Sequence, residues 1–147
     1  MAASYSSFLS SQYYSPVFNT ALFDGAFRIY FSQSYESTAL KIYHLLQSEH
    51  VELWSQYKKW SEKSKKNVFI LIYPSKEDVG LAFSGAQTTP VCSQWDEGVV
   101  IGLENTFETD KADQFNLLFK SIVKQLTQFL NTSARSPQSK QLQDEAF

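Results

Sequence analysis

The sequence predicts an α+β fold in which a mixed sheet of three to five strands packs against two main helices. Residues 68–73, VFILIY, form an unbroken apolar run that is typical of a strand covered on both faces. Residues 99–103, VVIGL, are a second run of this kind. In residues 110–131, apolar side chains recur at steps of three and four, which places them on one face of an amphipathic helix. The predicted order of elements is β-α-β-(β)-β-α.

Shorter patterns predict the remaining elements. Residues 27–31, FRIYF, are rich in β-formers and alternate, so they predict the first strand. A long helical pattern follows over residues 39–60, and we expect it to break near residues 48–50. Residues 81–83 are a candidate for a short strand. Residues 84–98, SGAQTTPVCSQWDEG, are predicted to be the longest irregular stretch within the domain.

The chain is long enough for one domain, which we predict over residues 24–132. Residues 1–23 are rich in serine and aromatic residues and follow no regular period, so a flexible arm is predicted there. Its aromatic side chains would dock on the domain or on a partner; they are Tyr13, Tyr14, Phe18 and Phe23. Residues 133–147 are predicted to be a disordered polar tail.

Composition and charge exclude several classes of protein. A formal net charge of −2 gives no strong overall field that would attract nucleic acid or an anionic membrane. Cys92 is the only cysteine, which excludes an intramolecular disulfide and a cysteine zinc cluster. No apolar run approaches the roughly 20 residues that span a bilayer, and the N-terminus lacks the pattern of a secretory signal. A cytoplasmic location without a membrane span is therefore predicted.

One basic cluster lies at the end of the long helical pattern. Its lysines are Lys58, Lys59, Lys63, Lys65 and Lys66, interleaved with Trp54, Tyr57 and Trp60. Cations beside aromatic rings occur in proteins that bind single-stranded nucleic acid. Here the aromatic residues follow the apolar stripe and the lysines follow the exposed stripe. We therefore interpret the cluster as a solvated helix end, and no nucleic-acid partner is predicted.

No complete catalytic or cofactor motif occurs in the sequence. His44 and His50 are six residues apart on one predicted helix, so their side chains would not share a face and could not form a metal pair. Cys92 has no local activating signature. Gly80 and Gly85 do not match the spacing of a phosphate-binding loop. These observations predict that the protein is not an enzyme and binds no cofactor or metal.

Several short strings resemble the metal-site half of gluzincin-type zinc metallopeptidases. The resemblance covers about residues 26–131, and its segments are FRIYFS at 27–32, NVFILIYPSKEDV at 67–79, GVVIGL at 98–103 and the helix at 110–131. In that family the helix carries the motif H-E-x-x-H, whose two histidines bind zinc and whose glutamate deprotonates the bound water.

The resemblance implies that the zinc motif is degenerate in this chain, where it reads KQLTQ. Lys124 and Gln128 stand at the histidine positions, and Gln125 stands at the glutamate position. A lysine is cationic near neutral pH and repels zinc, and a glutamine is a poor zinc ligand and no base. The resemblance therefore implies an inactive, metallopeptidase-like domain without zinc.

The leading prediction is a non-catalytic protein-interaction module whose partner is another protein. We predict an interaction surface on the loop at 84–97 together with the polar face of the last helix; its residues are Gln87, Pro90, Gln94, Trp95, Lys124, Gln125 and Gln128. Packing of Trp95 within the domain and a solvated helix face are the other interpretations. The alternative function is a small acidic chaperone or adaptor of a specialised secretion system that acts as a homodimer, a class that the pI of about 5.7 fits. An enzyme whose site is assembled from scattered residues is a third alternative.

Overall fold

A sheet of five strands forms the centre of the structure, a computed structural model that describes residues 12–86, 89–105 and 112–134. The strands are β1 (Thr20–Asp24), β2 (Phe27–Phe31), β3 (Asn67–Tyr73), β4 (Val91–Trp95) and β5 (Gly98–Glu104). The α-helices within the described residues are α1 (Glu36–Glu49), α2 (Val51–Ser64), α3 (Lys76–Ala82) and α4 (Ala112–Ala134). The predicted α+β fold class is confirmed.

The sheet is mixed, with a parallel centre and antiparallel edges. Its order is β1-β2-β3-β5-β4; β2, β3 and β5 are parallel, whereas β1 and β4 run antiparallel to β2 and β5. Every residue of β3 after Asn67 is buried, as is every residue of β5 before Glu104. Parallel strands with no exposed face need a layer on each side, so the sheet lies between two layers.

Three helices cover one face of the sheet. Side chains of α1, α2 and α4 pack against alternate residues of the central strands in the larger core cluster. Tyr57 of α2 is fully buried, and its hydroxyl donates a hydrogen bond of 2.6 Å to the carbonyl oxygen of Leu126 in α4. Burial raises the pKa of Tyr57, so its hydroxyl stays protonated and remains a donor. This bond joins two helices through residues that are 69 positions apart in the chain.

Helix α3 and the segment before β1 cover the opposite face. Tyr13 and Phe18 are 4% and 2% exposed, and the hydroxyl of Tyr73 in β3 donates to the carbonyl oxygen of Tyr13 at 2.6 Å. Tyr13 and Phe18 therefore dock on the domain, which is one of the two places predicted for the aromatic residues of the N-terminal arm. Within residues 12–23 the structure adds strand β1, which begins at Thr20. The physical reason for the docking is that the second face of the parallel strands needs apolar cover, which α3 alone is too short to supply. Residues 1–11 lie outside the described part of the chain.

Two other predicted elements are wrong in the region after β3. Residues 81–83, predicted as a strand, belong to α3 and its C-terminal end. Ser75 caps this helix, since its hydroxyl accepts a hydrogen bond from the backbone N–H of Asp78 at 3.2 Å. Residues 84–98, predicted as irregular, contain strand β4, which pairs with β5 from Val91 to Trp95.

The predicted break in the long helical pattern is confirmed. Helix α1 ends at Glu49, α2 begins at Val51, and His50 between them has non-helical backbone angles. Helix α4 matches the predicted amphipathic helix, although it extends to Ala134 and so includes the first two residues of the predicted tail. The rest of that tail, residues 135–147, lies outside the described residues.

Gly98 lies where strands β3, β4 and β5 meet. It opens β5 after the tight turn at residues 96–97 and pairs with Asn67 of β3 and Trp95 of β4. Its φ of +148° is a backbone conformation that other residues rarely adopt. A Cβ atom at this position would lie 1.8 Å from the carbonyl oxygen of Asn67. The β4–β5 hairpin can therefore approach β3 only with glycine here.

We predict that Gly98→Ala lowers the free energy of unfolding by about 3 kcal/mol or more, because backbone atoms of β3 must move to admit the methyl group. The matched control is Gly25→Ala. Gly25 also has a positive φ, +55°, but no described atom lies within 4 Å of the position that a Cβ atom would take there. This control should cost only about 1 kcal/mol, the price of the left-handed backbone alone. Urea denaturation of both variants measures the difference; equal losses would contradict the proposed close approach.

Candidate functional site

A groove between strand β4 and helix α4 brings together residues of both predicted surface segments. Its volume is about 260 Å³, and it is lined by Cys92, Ser93, Gln94, Gln125, Gln128, Phe129 and Thr132. We call it the amide groove, after its three glutamines. Of the predicted surface residues, Gln94, Gln125 and Gln128 therefore lie in one place, although they are distant in the sequence.

The periodicities of the two elements explain which side chains face the groove. On α4 the lining residues are Gln125, Gln128, Phe129 and Thr132, at steps of three, four and seven, so they form one stripe of the helix. Ile122 and Leu126, on the neighbouring stripe, are fully buried against the sheet. On β4, Cys92 contacts the core cluster on the α4 side of the sheet, whereas Val91 and Trp95 pack on the other side. The groove thus lies at the border between core and solvent.

Gln125 connects the two elements that form the groove. Its Nε2 donates a hydrogen bond of 2.9 Å to the carbonyl oxygen of Pro90, which ties α4 to the residue preceding β4. Its Oε1 is buried from solvent and receives no hydrogen bond from any residue that the structure describes. Leaving a buried acceptor unpaired costs about 1–3 kcal/mol. Because this oxygen is buried, neither water nor a ligand in the groove reaches it unless the surrounding side chains move.

The lining of the groove is electrically neutral. None of the seven lining residues is a carboxylate, an imidazole or a basic side chain. Cys92 is half-buried, and burial raises the pKa of its thiol, so the neutral thiol is favoured over the thiolate. Phe129 supplies an apolar wall, and its ring lies 5.5 Å from that of Trp60 in the core layer. Such a lining suits neutral hydrogen-bonding groups better than ions.

The other predicted surface residues occupy different places. Pro90 is buried and contacts the groove only through its carbonyl oxygen. Trp95 lies on the opposite face of the sheet, where its ring is 4.9 Å from Phe69 and 5.9 Å from Tyr13. Lys124 is exposed on α4 and is not among the residues that line the groove. Gln87 lies outside the described residues.

The outer edge of β4 borders the groove. Strand β4 is last in the sheet, and within the described ranges it pairs only with β5. Its residues are half-buried, apart from the exposed Gln94, whereas β5 beside it is buried. In an antiparallel pair every second residue directs its N–H and C=O away from the partner strand. The groove is therefore flanked by backbone groups that can pair with a further strand.

The histidines and the lysine cluster lie elsewhere. His50 packs its ring 5.6 Å from that of Phe119, and His44 is exposed on α1. Among residues 12–86, 89–105 and 112–134, no group of three or more His, Cys, Asp or Glu side chains is placed to hold a metal ion. The five lysines after Tyr57 are exposed at the end of α2, as the interpretation of a solvated helix end requires.

Reasoning from sequence misses the contribution of β4 to this site. Cys92 and Ser93 fall within the predicted irregular loop, and the predicted surface does not include Phe129 and Thr132. The local sequence VCSQW gives only a weak strand signal, although in the structure Val91 and Trp95 face one side and Cys92 and Gln94 face the other.

Comparisons with protein-family models, with curated proteins and with solved structures find no match to this chain. Among the helices in the described ranges, none has both the length and the apolar character that crossing a membrane requires.

We predict that Cys92 reacts slowly with thiol reagents in the folded protein. Because burial raises its pKa, a smaller fraction of the thiol is ionised at any given pH than in a free cysteine. The rate of iodoacetamide labelling should rise with pH, with an inflection above that of N-acetylcysteine. Protein unfolded in urea is the matched control, and the single cysteine makes the signal unambiguous. An inflection below that of the free thiol would instead indicate an activated nucleophile.

Proposed function

We propose that the protein is a non-catalytic protein-binding module and that the amide groove is its binding site. The observation that carries this proposal is a groove of neutral polar side chains with one aromatic wall, between helix α4 and strand β4, which is last in the sheet within the described residues. A concave site that combines an apolar wall with a few polar groups is the usual form of a ligand-binding site. Proteins present neutral N–H donors at nearly every residue, which makes another protein a suitable ligand.

We also propose that the groove is not a catalytic site, and the chemistry of its lining residues supports this. General acid–base catalysis needs a group that exchanges protons near neutral pH, and the groove is lined by amides, hydroxyls, a phenyl ring and a thiol of raised pKa. An amide neither gains nor loses a proton in this range. The groove can therefore hold a ligand by hydrogen bonds, but its own side chains offer no acid, base or activated nucleophile.

We further propose that the groove is the remnant of a metallopeptidase-like site. Gln125 and Gln128 stand at the glutamate position and one histidine position of the resembled motif, and both line the groove. Lys124, at the other histidine position, lies outside the lining. In that case glutamines that form hydrogen bonds now occupy positions on α4 where the resembled motif has a metal ligand and a general base.

We expect purified protein to contain no stoichiometric zinc, because Lys124 and Gln128 replace the two imidazoles of the motif. Metal analysis by mass spectrometry after exposure to zinc measures this directly. The matched positive control carries Lys124→His and Gln128→His, which places two imidazoles four residues apart on α4 and should bind zinc. One tightly bound zinc ion per chain in the unmodified protein would refute the proposal that the site has lost its metal.

Peptide selection tests the binding site itself. A phage library of random ten-residue peptides is selected on the folded protein, and the selected sequences are synthesised. These peptides should bind the Gln128→Lys variant of the protein at least about tenfold more weakly than the unmodified protein. A charge placed in the neutral groove must be desolvated or must block the ligand. Asn116→Lys is the control, since Asn116 is equally an exposed residue of α4 and does not line the groove. Isothermal titration calorimetry provides the affinities.

Peptide binding and light scattering together decide between the two functions. If no peptide depends on Gln128, the groove is not the binding site and the proposal fails. A chain that runs in light scattering at twice its mass of 16.8 kDa, and that Gln128→Lys converts to a monomer, would instead favour the homodimeric adaptor. Edge strands β1 and β4, which pair on one side only within the described residues, offer such a dimer its contacts.

A further inference from the structure

We draw no further inference here: the strongest candidate, the surface patch of exposed lysines between Lys58 and Lys66 at the end of α2, carries none, because nothing in the structure of the described residues shows what covers it.

Discussion

Burial of β3 and β5 on both faces is the constraint on which the rest of the structure depends. Only Asn67 and Glu104 of these strands are partly exposed, so almost none of their surface contacts water. Two layers must cover them, and the chain provides three helices on one side and α3 with the segment around Tyr13 and Phe18 on the other. The docking of that N-terminal segment is therefore a consequence of the sheet, because the second face would otherwise expose a large apolar surface.

The same constraint explains where the candidate site lies. The buried parallel centre leaves antiparallel strands β1 and β4 at the edges of the sheet, and Gly98 lets the β4–β5 hairpin close against β3. Helix α4 packs across the core layer, so one of its stripes reaches the border beside β4. A groove at this border combines helix side chains with a strand that, within the described residues, pairs on one side only.

The residues of the core were predictable from sequence, whereas those of the border were not. VFILIY, VVIGL and the apolar stripe of α4 carry strong periodic signals because they are buried on fixed faces. VCSQW alternates only weakly, since an edge strand beside a groove has one half-exposed face, and its pattern therefore resembles that of a loop. The helical period does place Gln125 and Gln128 on one polar face. That Gln94 joins them while Trp95 turns to the other side follows from the register of β4 with β5, which no local pattern contains.

Gln125 shows why the groove is more than a gap between packed elements. Its position next to Leu126 would admit an apolar residue, and a methionine or leucine there would fill the same space without burying an unpaired oxygen. The amide nitrogen alone has a structural role, since it holds Pro90 and hence the start of β4. A lysine could also reach such a carbonyl, with its charged group near solvent. Glutamine differs from both because its neutral amide donates to Pro90 across the base of the groove while its own oxygen stays buried. This bond holds α4 at a fixed distance from the start of β4, and that distance sets the width of the groove.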